Sequence, residues 1–265
     1  MEIGARMHTK YTTTSIEEQV KSFVEFGIKR TFIGASHPQL DTAIKLLHEN
    51  NITCDTLHGI YNEPDGYTIN DLYKPGNAGD IILDRLLNNI TTCVQHNIPV
   101  LIVHFPDNEI GLEYKNEHSE QRFNELGEFA RKNSIILAFE NTGYCVDCFN
   151  YTFDLIPDAK FCYDTGHEFL YGGGYKFLSL YGEKLIALHL SDNHGKYDDH
   201  IIPFDGILNF DEITKNIAKC SFNGSIMLEV PYKDTYSDKF SYKDFVLRIK
   251  NSAERLADMI EKATL

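Results

Sequence analysis

Residues 160–167 read Lys160-Phe161-Cys162-Tyr163-Asp164-Thr165-Gly166-His167: a short apolar run that ends in a carboxylate, with an imidazole three positions further on across a tight turn. A run of this length, bounded by turn residues, reads as a buried strand carrying ionisable groups at its C-terminal end. The same grammar recurs on both sides. His58 follows Asp55-Thr56-Leu57, His104 closes Leu101-Ile102-Val103 and Glu140 closes Leu137-Ala138-Phe139. His189 closes Ile186-Ala187-Leu188, and Glu229 closes Ile226-Met227-Leu228. Six strands thus end in a side chain able to bind a metal.

Working outward, short apolar runs alternate with amphipathic stretches over the whole chain. The expected strands are Ile3–Met7, Thr31–Ala35, Thr53–Leu57, Val100–His104, Ile135–Phe139, Lys160–Tyr163, Leu185–Leu190 and Ser225–Val230. The expected helices are Ser15–Phe26, Leu40–Asn50, Asp80–His96, His118–Asn133, a weaker one near Tyr175–Tyr181, Asp211–Cys220 and Tyr242–Ala263, with an irregular segment containing Asp147–Leu155. Eight alternations without linker, repeat or low-complexity segment fit a single-domain α/β fold over residues 1–265, a (β/α)₈ TIM barrel. The competing layout is an open doubly wound sheet. No glycine-rich phosphate turn follows the first strand, and Gly172-Gly173-Gly174 lacks the Lys-Ser/Thr of a P-loop.

The 265 residues carry a formal net charge of -14, which disfavours a protein living on nucleic acid, where clustered Lys and Arg neutralise phosphates. No run of about 18 apolar residues offers a membrane span, and Met1–Arg6 does not read as a signal peptide. The six cysteines read as reduced thiols, Cys145-x-x-Cys148 included, and a cytoplasmic location is expected.

Active sites of such barrels are built on the C-terminal rim of the strands. A single histidine there reads as a hydrogen-bonded structural residue, and a single carboxylate as a cap for the next helix. Six ionisable groups around one mouth are costly unless cations compensate them. Nitrogen and oxygen ligands without thiolate suit zinc, manganese or iron. Asp164 with His167, and Asp198 with His200 in the loop after the seventh strand, extend the set. His8, His37, His118 and His194 read as surface histidines, Asp192 and Asn193 as groups orienting ligands, and Tyr11, Tyr61 and Tyr144 as aromatics facing a substrate.

These residues resemble the xylose-isomerase-like barrel superfamily, which holds sugar isomerases and epimerases and the endonuclease IV family. Ala138-Phe139-Glu140-Asn141-Thr142, Tyr163-Asp164-Thr165-Gly166-His167, Leu188-His189-Leu190-Ser191-Asp192 and Leu228-Glu229-Val230 look like its signatures for strands five to eight. In simpler members one metal is held by residues matching Glu140, Asp164, His189 and Glu229, and His167 matches a substrate-contacting histidine. Gly195 stands where some keto-sugar epimerases carry an arginine. The endonuclease IV pattern implies up to three zinc ions on His58, His104, Glu140, Asp164, His167, His189, Asp198, His200 and Glu229, although His58-Gly59-Ile60-Tyr61-Asn62 and Gly143-Tyr144-Cys145 do not look like that family's DNA-contacting loops.

The resemblance implies one to three divalent ions, zinc or manganese, and a small-molecule substrate, a sugar or sugar phosphate. Glu140 and Glu229 would serve as the catalytic acid and base of an isomerase or epimerase. The alternatives are a multinuclear zinc phosphoesterase and a non-catalytic sugar-binding barrel. Oligomeric state is not readable, since barrel helices and interface helices are both amphipathic, and specificity is expected in loops 59–79, 106–117 and 193–209.

Overall fold

The computed structural model describes residues 1–8, 14–61, 65–105, 115–143, 146–172 and 176–264, with the side chain of Asp234 left aside. Eight strands run parallel: β1 (Ile3–Arg6), β2 (Arg30–Gly34), β3 (Thr53–His58), β4 (Val100–His104), β5 (Ile136–Glu140), β6 (Lys160–Asp164), β7 (Leu185–His189) and β8 (Ile226–Leu228). Each of β1 to β6 pairs with the next strand, and β1 also pairs with β8. The remaining seam closes just beyond the end of β7. Leu190 N–H donates to Met227 O at 2.9 Å, and Glu229 N–H donates to Leu190 O at 3.1 Å. The result is the expected TIM barrel.

Alternation along the strands assigns the two faces. Leu137 and Phe139 of β5 belong to the large core under the helices, whereas Ala138 sits in the lumen with Val100, Ile102, Cys162 and Ala187. Two residues after each lumen residue comes the next of the same face: His104 after Ile102, Glu140 after Ala138, Asp164 after Cys162 and His189 after Ala187. Small apolar side chains plug the bottom of the barrel, and the top layer is ionisable.

The helices close the outside. In α1 (Ile16–Phe26) Ser15 and Glu18 form a capping box, Ile16, Val20 and Phe23 are buried, and Gly27 ends the helix at φ 71°. α2 (Leu40–Glu49), α3 (Asn77–Gln95) and α4 (Glu117–Lys132) follow in order. Next come α5 (Val146–Leu155), α6 (Thr165–Tyr171), α7 (Phe177–Tyr181), α8 (Phe210–Lys219), the short α9 (Asp234–Ser237) and α10 (Tyr242–Thr264).

Four expectations are corrected. The segment Asp147–Leu155, read as irregular, is the helix α5. Its aromatic and β-branched residues favour helix weakly, but Phe149 stacks on Phe105 and Tyr181, and burial of Cys148, Phe149, Thr152 and Phe153 along one face overrides propensity. The presumed turn after Asp164 is the first turn of α6, with Asp164 Oδ1 accepting from His167 N–H at 2.7 Å as its N-cap. His8 and His37 are buried, with only His118 and His194 exposed as expected. Cys54, Cys93, Cys162 and Cys220 are free thiols, but Cys148 is disulfide-bonded. Tyr11, Asn62, Tyr144, Cys145, Gly173, Gly174 and Tyr175 lie outside the described residues, as does most of loop 106–117.

Candidate metal centre

All nine candidate ligands, six from strand ends, His167 from α6 and Asp198 and His200 from the β7–α8 loop, come together at the barrel mouth. Glu140, fully buried at the end of β5, is the hub. His189 Nδ1 lies 3.1 Å and His58 and His104 Nε2 each 3.5 Å from its Oε2, while His167 Nδ1 lies 3.2 Å from Oε1. His189 Nδ1 is also 2.9 Å from Glu229 Oε2. A second group forms around Asp198, whose Oδ2 lies 3.2 Å from His167 Nε2 and 3.0 Å from His200 Nε2.

Several of these contacts are short without being hydrogen bonds. Both Glu140 oxygens, Asp164 Oδ2, Asp198 Oδ1 and both ring nitrogens of His189 are buried and lack a hydrogen-bond partner. Unsatisfied buried groups of this kind are rare and expensive. Here they face one another: ligand atoms of His58, Glu140, His189 and Glu229 lie within 4.8 Å of each other. So do those of His167, Asp198 and His200, those of Glu140, Asp164 and His167, and those of Asp164, His200 and Glu229.

The orphaned atoms and the nitrogen–oxygen donor set fit one or more divalent cations of the zinc or manganese kind. Burial pushes the Cys162 thiol beneath them up to about 12, so it adds no thiolate.

Neighbouring groups fix the tautomers that cation binding needs. A carbonyl can only accept, so the contacts of His58 Nδ1 with Gly59 O and of His200 Nδ1 with Glu229 O, each 3.0 Å, place a proton on those nitrogens. Nε2 of each ring then faces the site, 3.0 Å from His104 Nε2 in His58 and 3.0 Å from Asp198 Oδ2 in His200, and would serve a cation once it gives up any proton it carries. Phe32 stacks on the His189 ring at 4.7 Å. Asn141 ties the top of β6, donating to Asp164 O at 2.8 Å and accepting from Asp164 N–H at 2.7 Å.

Burial and neighbouring charges sort the groups of the cluster strongly. Burial alone would raise Glu140 and Glu229, yet His189, helped by His104 at Glu140 and by Arg6 at Glu229, holds both well below the usual carboxylate range. Asp164 goes the other way, lifted by burial to about 6. Burial likewise opposes charge on His167, but Asp164, Asp198 and Glu140 raise it well above an ordinary histidine. His104 is pushed down to about 3 by burial and stays neutral. Strongly perturbed titrating groups gathered at one cavity mark a candidate functional site.

Asp192 does something different from the orienting of ligands expected of it. It is fully buried, and its carboxylate accepts four backbone N–H groups: Asn193 at 2.8 Å, Leu208 and Phe204 at 3.0 Å, and Gly206 at 2.9 Å. It gathers the whole β7–α8 loop, and with it Asp198 and His200. His200 is held at φ 47°, in the left-handed region that non-glycine residues seldom occupy.

The site opens into a cavity of about 450 Å³ whose wall includes Tyr61, stacked on the His104 ring at 4.5 Å. Sequence reasoning missed Arg6, Tyr232 and Lys233, which also line this cavity. The signal for Arg6 is its place two residues after Gly4, on the lumen face of β1, although arginine is not a metal-binding residue type.

A model of the xylose isomerase-like TIM barrel family matches residues 22–261. The chain belongs to that family. Solved structures with the same fold include a xylose isomerase domain protein from Alicyclobacillus acidocaldarius, 14% identical with a TM-score of 0.73 over 100% of this chain and 99% of that one. They also include D-psicose 3-epimerase with D-tagatose from Clostridium cellulolyticum H10, 13% identical with a TM-score of 0.73 over 100% and 99% of the two chains. D-allulose 3-epimerase from Methylomonas sp. with D-allulose is 15% identical, with a TM-score of 0.72 over 99% and 97%.

Among curated proteins, a 103-residue stretch is 40% identical to the uncharacterized protein y4fM of Sinorhizobium fredii (strain NBRC 101917 / NGR234). The match covers 38% of this chain and 32%, about a third, of that relative's length. Within the family fold Gly195 has a local cause. It sits at φ 82°, in the left-handed region that glycine adopts freely and an arginine would occupy only under strain.

Among the described residues no helix is long and apolar enough to cross a membrane.

Proposed function

We propose that this barrel isomerises or epimerises a sugar by moving a proton at a carbon next to a carbonyl, with a divalent cation held in the strand-end cluster. The observation that carries this reading is that Glu140 and Glu229, from β5 and β8, bracket His189 Nδ1 at 3.1 and 2.9 Å beside a cavity of about 450 Å³. Two carboxylates thereby reach one small space, the arrangement proton abstraction and return require. The volume suits a monosaccharide.

The cation, when bound, would polarise the carbonyl and its neighbouring hydroxyl and so acidify the C–H between them. Glu140 and Glu229 then exchange the proton, and His167, reaching Glu140 through Nδ1 and Asp198 through Nε2, orients a substrate hydroxyl. Tyr61 offers an apolar wall to the sugar's C–H face. The test is incorporation of solvent deuterium into ketohexoses and their phosphates. Glu140→Gln and Glu229→Gln should each slow it by at least about a hundredfold. Incorporation at the wild-type rate in both variants would sink the reading.

One observation favours a second reading. His58, His104, Asp198 and His200 exceed the needs of a single cation, and the ligand groups overlap as a polynuclear set would. Such a set suits hydrolysis of a phosphate ester. Metal analysis separates the two: about one exchangeable manganese per chain supports isomerisation, and about three zinc ions support hydrolysis. Binding of sugars without turnover under any metal would leave a binding barrel.

A further inference from the structure

We propose that Arg6 and Lys233 form an anion-binding subsite at the β1–β8 side of the cavity, so that the substrate carries a phosphate or carboxylate group. This rests on the proposed sugar chemistry of the same site and names its substrate class.

Arg6 is the last residue of β1, and Lys233 follows the strand that pairs with it, β8. Both line the same cavity as Glu140 and Glu229. The Arg6 guanidinium lies 5.9 Å above the Phe32 ring and spends one N–H on Glu229 Oε1, at 3.1 Å. A guanidinium has five N–H donors in a rigid fork suited to two-oxygen anions, so most of its capacity is left. Its side chain keeps 27% of its exposure. Lys233 makes no ion pair among the described residues and is exposed on the cavity wall.

The charge balance gives the pair a purpose. The carboxylates Glu140, Asp164, Asp198 and Glu229 all sit among histidines in the groups that could hold a metal ion, and Arg6 is paired with Glu229. The second cation at the mouth, Lys233, has no carboxylate of its own. The chain as a whole carries -14, a field that repels an anionic substrate, and a local pair of cations at the mouth reverses it. A neutral sugar would leave the Lys233 charge unanswered.

The experiment is calorimetric titration of the metal-loaded protein with a ketohexose, its 6-phosphate, a sugar acid and inorganic phosphate, with metal content measured in every variant. Wild type should bind one anionic class at least about tenfold more tightly than the neutral sugar, with the sugar phosphate or the sugar acid preferred according to which group the pair takes, and inorganic phosphate should compete with whichever binds there. Lys233→Met should remove most of that preference at unchanged metal content and leave neutral-sugar affinity alone, and Lys233→Arg should restore it. Arg6→Lys should lose more of the preference than Lys233→Met, because the fork is lost.

Equal affinity for neutral and anionic sugars, or Lys233→Met weakening both alike, would overturn the subsite. Loss of metal from Lys233→Met with the preference intact would overturn it too, making the lysine a counter-charge for the cluster. Anionic sugars that bind tightly but exchange no deuterium would instead remove the isomerase reading and leave the subsite standing.

Discussion

His167 and His200 reach the same oxygen of Asp198 from different parts of the chain, at 3.2 and 3.0 Å. His167 comes from the first turn of α6, and Asp198 and His200 from the β7–α8 loop. Asp198 is thereby held below the usual carboxylate range against the opposing effect of its burial. The contact joins two segments that neither share a strand nor pair as strands, and it defines a ligand group with no member in common with His58, Glu140, His189 and Glu229, although His167 also reaches Glu140.

That separation gives the first prediction. Asp198→Asn should lower the metal content by about one ion per chain if the barrel holds more than one, because only the group built on Asp198 loses its charge. Glu140→Gln, at the hub of the four-histidine contacts, should lower total metal affinity by at least about tenfold. Mass-spectrometric metal analysis after dialysis checks both. Full metal content in Asp198→Asn would assign Asp198 and His200 to the substrate side.

Asp192→Asn keeps the size of the side chain but turns one acceptor into a donor facing backbone N–H groups. Four such groups depend on this carboxylate. Each oxygen takes two of them, so Asn leaves two buried N–H groups unmatched at about 1–3 kcal/mol each, and denaturant unfolding should register a loss of at least that size. Displaced Asp198 and His200 should weaken metal binding in the same variant. Unaltered stability would mean that the loop finds other partners.

His8 should make stability depend on pH. Burial, with Arg6 nearby, pushes it down to about 3, while Tyr232 N–H donates to its Nδ1 at 3.3 Å. Between that value and the unfolded value of about 6.5, the unfolded chain binds the proton and the folded one does not. Stability is therefore complete above the unfolded value and falls as pH drops below it. From pH 7.5 to pH 5 the wild type should lose up to about 2 kcal/mol more than His8→Asn, whose amide oxygen can keep the Tyr232 contact. Equal losses in equilibrium unfolding would exclude a neutral buried His8.

Gly79→Ala tests the anchor of the β3–α3 connection. A Cβ at Gly79 would lie 2.2 Å from Arg122 Nη1 and 2.5 Å from Asp71 O. Arg122, itself buried, donates to Leu72 O, Lys74 O and Gly76 O at 3.2, 2.6 and 2.7 Å. The clash should cost about 3 kcal/mol, whereas Gly34→Ala, with nothing within 4 Å of the added carbon, should stay within about 0.5 kcal/mol. A comparable melting temperature for both variants would argue that Arg122 moves aside freely.

The barrel and its rim were readable because a strand has period two. Once Ala138, Cys162 and Ala187 face the lumen, Glu140, Asp164 and His189 must face it one layer higher. Long-range consequences were not readable. Nothing local distinguishes His8, buried by Tyr242 and Phe245, from exposed His118. The helical state of Val146–Leu155 depends on aromatic partners from β4 and α7, against its own propensity. Asp192 looked like one more polar residue beside a ligand, because the four N–H groups it collects come from 1 to 16 positions further along.

The seam between β7 and β8 has a bearing on how this barrel opens. Among the described residues only the Leu190 hydrogen bonds lace these strands, and the residues flanking the lace, His189 and Glu229, touch at 2.9 Å. An ion gripped by both would act as a buckle on the ring's weakest stave joint. Chelation should then speed amide exchange at Leu190 and Glu229 before it does so within β4 and β5, a sequence that exchange measured with and without chelator can confirm or reject.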